Sequence, residues 1–381
     1  MKKVIAIAFV LLLLIPASAF AVSESPKPLD DDILEELHHE FGKYDFSSWE
    51  AHVNNDLFSN FSVKDMIDSF LSGNPDLAAD NMLDKLSGIL KITMKQSAGF
   101  MFAMLAISLV TGLCNAMIPD EKSSLREVAG FILSAMSLGL VIAIFSSAVN
   151  IAAKNIQAVS AFAEAAMPVT SVLLIASGAN MTSGVVSPLM TILSTTVVGI
   201  IKTVIFPLIL IGCVLSVVSS ISPKSQLKQL LSLVKNLTKW SIGILATIYT
   251  GLIVLKGLAA ANYDGLSIKT TKYLIDKTVP VAGGFFSGTI DTTLVCAQMV
   301  KSAAGLAAIV AVIIIISKTL LSIFCTNMTF RLTAAMCEPI SDERIPKLLT
   351  GVADMMSFLF AAVMVCGLMF IILFGIVVTC V

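Results

Sequence analysis

Long apolar runs recur from residue 98 to residue 381, broken by short polar stretches. Apolar runs of this length predict helices able to cross a hydrocarbon core of about 30 Å. The candidate spans are Ala98–Ile118, Val128–Ala153, Ala158–Gly178, Gly184–Ile201, Thr203–Ile221, Trp240–Leu255, Ser302–Phe324 and Met355–Val381. Between residues 155 and 222 only Glu164 and Lys202 are charged, so the divisions there are soft. Pro168, Pro188 and Pro207 recur about once per span in that region and predict kinks or a re-entrant hairpin. The expected fold is all-α, a polytopic helical membrane protein with six to eight spans.

The first residues follow a different pattern. Lys2 and Lys3 precede an apolar core from Val4 to Ile15, which Pro16 breaks before the cleavage sites offered by Ala17-Ser18-Ala19 or Ala19-Phe20-Ala21. This is the layout of a cleavable signal peptide over 1–21, with an uncleaved short anchor as the alternative. Either one exports residue 22 onward. The exported region 22–97 predicts short helices. Asp30 to Phe41 reads as an acidic helix, and Ser62-Val63-Lys64-Asp65 resembles a capping box with Gly73 as a later stop. After Pro75, Ala79, Leu83, Leu86, Leu90 and Met94 mark one face of an amphipathic helix that runs directly into the multi-span domain 98–381.

Composition strengthens the membrane reading. The chain is 56% hydrophobic and 13% charged, with a mean hydropathy of +0.91. Soluble domains hold about 25% charged residues, and a core alone cannot hide this much apolar surface. The net charge of −1 conceals an asymmetry: residues 22–97 carry 15 acids against 6 lysines, while 98–381 carry 11 acids against 17 bases. The seven cysteines all lie in the apolar part with no C-x-x-C spacing, so neither a disulfide framework nor a structural zinc site is expected. His38, His39 and His52 lack trustworthy ligand spacing.

Charge in the connections sets an expected orientation. Residues 223–239 contain Lys224, Lys228, Lys235 and Lys239 without an acid, so this loop is expected in the cytoplasm. An exported residue 22 then requires an odd number of crossings before it, either five or three plus a re-entrant hairpin. The stretch 256–301 is mixed in charge and contains Val279 to Gly288 (VPVAGGFFSG), too apolar for a free loop and too glycine-rich for a plain span. Pro280, Gly283, Gly284, Gly288 and Asp291 there suggest a surface hairpin or a re-entrant packing element.

Catalytic patterns are missing from the sequence. No histidine follows residue 52, which precludes a Ser-His dyad within the multi-span domain. Gly-Lys occurs only at Gly42-Lys43 and is followed by Tyr44, so no phosphate-binding loop is present. Asp264, Asp291 and Asp354 sit in no recognised catalytic dipeptide, and no basic, aromatic-interleaved stretch suggests nucleic acid. Neither catalysis nor a cofactor is expected. Among ionisable residues near membrane depth, Lys202, Lys256 and Asp354 are expected at span ends, where side chains can snorkel. Glu164 and Lys318 lie deeper, where a charge costs about 2.5–3.5 kcal/mol on insertion scales, and are candidates to face a water-filled interior or a partner subunit.

Several strings are more specific than hydropathy. They are Phe206 to Ser220 (FPLILIGCVLSVVSS), Leu230 to Trp240 (LLSLVKNLTKW), Asp264 to Tyr273 (DGLSIKTTKY), Val279 to Gly283, Ser287 to Thr292, and Lys301 to Gly305. With them the chain resembles the stage III sporulation protein AE family of endospore-forming bacteria. The resemblance implies a protein of the mother-cell membrane that engulfs the forespore. It implies action with other membrane proteins of the same operon, including a secretion-type ATPase, and with a forespore membrane protein. Such an assembly is a channel or secretion apparatus that keeps the forespore competent and its late sigma factor active. The family contributes no catalytic residues. A free-standing permease for a small solute and a pore-less scaffold of the same complex remain alternatives, and the lysines of 224–239 would meet anionic lipid or an acidic partner.

Overall fold

A computed structural model describes residues 47–53, 76–117, 123–221, 226–278, 283–340 and 343–379. The predicted signal peptide, the acidic helix at 30–41, the capping box at 62–65 and the histidines at 38 and 39 lie outside these residues. What is described is helical apart from residues 177–179, 338–340 and 343. In chain order the helices are α1 (Ser47–Val53), α2 (Asp76–Met117), α3 (Ser123–Ala176), α4 (Asn180–Ile192), α5 (Val198–Ile200), α6 (Phe206–Ile221), α7 (Gln226–Thr278), α8 (Gly283–Cys337) and α9 (Arg344–Thr379). Two π-helical segments, Leu193–Val197 and Ile201–Ile205, join α4, α5 and α6 into one rod.

Among the described residues five helices are long and apolar enough to cross a membrane: Val128–Ala176, Asn180–Ser220, Leu227–Ser267, Val295–Cys337 and Arg344–Thr379. A shorter apolar stretch, Ala98–Cys114, occupies the second half of α2. As expected, α2 starts directly after Pro75 and continues unbroken from its amphipathic part into that stretch.

Two pairs of candidate spans merge. Val128–Ala153 and all but the last two residues of Ala158–Gly178 are parts of α3, a single helix of 54 residues, about 80 Å long. Gly184–Ile201 and Thr203–Ile221 belong to the one α4–α6 rod. The polar residues that suggested breaks are instead bonded within the bundle. The Asn155 Nδ2 donates to the Ile315 carbonyl at 2.6 Å, and the Lys202 Nζ donates to Gln157 Oε1 at 2.8 Å. Once their polar atoms have partners, such residues no longer require the chain to leave the helix. Pro168 and Pro188 lie inside α3 and α4, which continue through them. Pro207 is the second residue of α6, so its missing N–H falls opposite the carbonyls of the second π segment, whose wider turn accommodates the loss.

The described residues of 256–301 continue α7 to Thr278 and begin α8 at Gly283, so Gly283, Gly284, Gly288 and Asp291 lie in the opening turns of α8. Pro280 lies outside the described residues.

Helix α9 occupies the centre. It touches α8, α6, α3, α7 and α4, and its buried face runs from Ile345 to Val377. Around it, α3 and α7 lie on opposite sides, with the α4–α6 rod and α8 between them. Small residues set the spacing: a Cβ on Gly367 would lie 2.3 Å from Ile316 Cδ1, and one on Gly305 would lie 2.7 Å from Val378 Cγ2. Such close backbone approach is how helices gain contact where lipid removes the hydrophobic drive between them.

Candidate functional site

The α3–α4 turn is closed by a carboxylate from far along the chain. α3 ends in a Schellman motif: Ala179 N–H donates to the Leu174 carbonyl at 2.8 Å and Gly178 N–H to the Ile175 carbonyl at 3.0 Å. Gly178 has φ 80°, a left-handed conformation that disfavours any side chain. α4 then begins after Ala179, which has no side chain able to cap it. The cap is Asp264 of α7. Its two carboxylate oxygens accept from the Met181 and Thr182 N–H groups, both at 2.8 Å. The carboxylate is 1% exposed and faces the positive end of the α4 dipole.

Along the sequence Asp264 stands in no recognised catalytic dipeptide and opens the family-specific string Asp264 to Tyr273, neither of which marks it as a cap. The overlooked signal is the Gly178 stop followed by Ala179, a helix start whose cap must be supplied from elsewhere.

A charged node lies near the other end. Asp354 of α9 accepts from Lys235 Nζ at 3.0 Å and from Arg331 at 3.2 Å. Arg331 also donates to Ser357 Oγ at 3.3 Å, which in turn accepts from Asn327 Nδ2 at 3.0 Å. Lys235, expected in a free basic loop, is therefore bound into the bundle, while Lys228 and Lys239 are exposed on the first turns of α7. Lys224 lies outside the described residues. Asp354 stands ten residues inside α9, and its charge is met by two cations. Asp354→Ala is expected to lower stability by about 1–2 kcal/mol, because two half-buried cations lose their common anion. Thermal unfolding in detergent measures this, and the loss should shrink when Lys235→Ala is added.

The two deep candidates have different surroundings. Glu164 is exposed on α3 and accepts from Ser160 Oγ at 3.5 Å, the limit of a hydrogen bond. Lys318 is exposed on α8, one turn from the Ile315 carbonyl that Asn155 holds. Lys202, expected to snorkel from a span end, lies mid-rod and is bonded to α3 through Gln157. Among the described residues no three of His, Cys, Asp and Glu gather as a metal site would require.

A family model for stage III sporulation protein AE matches residues 61–380. The chain belongs to the stage III sporulation protein AE family. The matched range takes in every long helix, the Asp264 cap and the Asp354 node. The chain is also similar to stage III sporulation protein AE of Bacillus subtilis (strain 168), with 24% identity over 204 residues, covering 54% of this chain and 51% of the relative. The match thus spans about half the length of that relative. No solved structure matches the chain.

Proposed function

We propose that the chain is a non-catalytic membrane component of a multi-protein channel or secretion-type complex between mother cell and forespore, required for endospore development and for late sigma factor activity. The observation that carries this reading is membership of a sporulation family in a chain built from long apolar helices, with Gly-Lys only at Gly42-Lys43 and no phosphate-binding loop after it. Energy for transport would then come from a partner, the secretion-type ATPase that the family resemblance implies. The other partners are membrane proteins of the same operon and a forespore membrane protein.

The orientation follows from the same reading. With the shorter apolar stretch Ala98–Cys114 of α2 counted as a crossing, α2, α3 and the α4–α6 rod make three passes before the lysines of α7. With an exported N-terminal region, three passes bring Lys228 and Lys239 to the cytoplasmic side of the mother-cell membrane, beside anionic lipid or an acidic partner. The alternative, a free-standing solute permease, makes an opposite prediction. Reconstituted alone into liposomes, the chain should pass no small solute above the rate of empty liposomes. Sustained flux by the purified chain would favour the permease.

A further inference from the structure

On α3, Asn150, Lys154, Gln157, Ala161, Glu164 and Pro168 follow one another at alternating four- and three-residue steps, which keeps them on one helix face. All but Ala161 are exposed among the described residues, and Ala161 is half-buried. The row covers about 27 Å of helix length inside a segment that is otherwise strongly apolar.

The α4–α6 rod carries a matching row at its edge with α3: Thr191, Thr195, Gly199 and Thr203. Four-residue steps on an ordinary α-helix drift sideways by about 40° each. The two π segments, with their wider turns, offset that drift and hold the row in line. Contacts fix this edge against α3: Lys202 bonds Gln157, Ser160 Oγ donates to the Ser194 carbonyl at 3.4 Å, and Thr191 Oγ1 lies 3.9 Å from Met167 Sδ.

The opposite side of the bundle has a different character. Tyr249 Oη donates to the Leu189 carbonyl at 2.7 Å, which sets that part of α7 beside α4. Around Tyr249 the exposed residues of α7 include Ile244, Ile248, Leu252 and Leu255. From Ile244 to Leu255, up to the exposed Lys256, the bundle therefore presents mostly hydrocarbon on its α7 side, whereas on its α3 side amide, hydroxyl and charge are interspersed with exposed Ile151, Ile192, Ile200 and Val204.

We propose that this bundle is two-sided in the membrane: α7 meets lipid, and the face built from α3 and the α4–α6 rod lines a water-filled space. Exposed ionisable groups on apolar helices turn toward water or protein because hydrocarbon leaves their charge unsolvated. Lys154 and Lys202 against Glu164 give the face a net positive charge, so the space favours anionic over cationic solutes. That the space is the inside of a passage shared with neighbouring subunits rests on the proposed function. That the face is wet does not.

The test is thiol labelling of the full-length chain in opened membranes of sporulating cells, with a membrane-impermeant charged thiosulfonate. Thr195→Cys and Thr203→Cys report the proposed wet face, and Ile248→Cys and Leu252→Cys report the lipid face, with the parent chain and its own cysteines as the blank. Thiolates form and react only where water solvates them, so the two threonine positions should label at least about tenfold faster than the α7 positions. The anionic reagent should outpace the cationic one there, and Lys202→Gln should reduce that preference. Equal labelling on both sides overturns the proposal. So does a Thr195→Cys chain that resists the reagent but forms a disulfide with a second copy, since the face is then a dry interface. A preference for the cationic reagent overturns the assigned charge. Fast labelling in a chain that brings no partners through purification keeps the wet face and sinks the channel-complex reading.

Discussion

Asp264→Ala is expected to destabilise the protein by about 3 kcal/mol or more, the largest effect of any single side-chain truncation considered. Hydrogen bonds to a charged group contribute about 1.5–3 kcal/mol each, and the substitution removes two of them while leaving buried N–H groups without acceptors. The two donors are the Met181 and Thr182 amides, in the first turn of α4. No local group replaces the lost cap, because Ala179 stands at the capping position. Asp264→Asn should recover only part of the loss, since its amide offers one acceptor oxygen where the carboxylate offers two. A stronger check is Ala179→Ser placed in the Asp264→Ala background. A serine cap is worth about 1 kcal/mol, so the double variant should unfold at a higher temperature than the single one. Thermal unfolding in detergent, together with proteolysis at the 177–179 turn, measures all three variants. An unchanged midpoint for Asp264→Ala would show that the cap contributes nothing to stability.

Gly112→Ala should cost more than Gly367→Ala, although both glycines approach their neighbours equally closely. A Cβ on either would lie 2.3 Å from the nearest atom. On Gly112 that atom is the Ile340 carbonyl oxygen, part of the turn that follows α8, and a backbone group cannot rotate away. On Gly367 it is Ile316 Cδ1, the far end of a flexible side chain. Overpacking against a rigid neighbour costs about 1–3 kcal/mol, so Gly112→Ala is placed near the top of that range and Gly367→Ala below its bottom. Paired unfolding curves in one detergent decide it. Equal losses would mean that the α8–α9 turn yields as readily as a side chain.

Hydropathy carried the sequence reading as far as helices and membrane, because the length of an apolar run is a property of neighbouring residues. It failed where the deciding partner is remote. Lys154, Asn155 and Gln157 look like a break between two spans when read along the chain. In the fold Asn155 reaches Ile315 and Gln157 meets Lys202, so α3 continues through them. Asp264 is separated by more than eighty residues from the amides it caps, and nothing local marks its role. Lys235 was legible as a cation but not as a partner of Asp354, since that pairing joins α7 to α9. Glu164 and Lys318 were singled out by depth alone. The four-three spacing from Asn150 to Pro168 is equally present in the sequence, but a span boundary at 154–157 divides it in two.

The membrane component reading predicts partners, and one measurement meets it directly. The tagged full-length chain is purified in mild detergent from sporulating cells, and the proteins that accompany it are identified by mass spectrometry. Recovery of a secretion-type ATPase, the other membrane proteins of the operon and the forespore membrane protein is the predicted result. A stable chain recovered alone, with none of them, would contradict it.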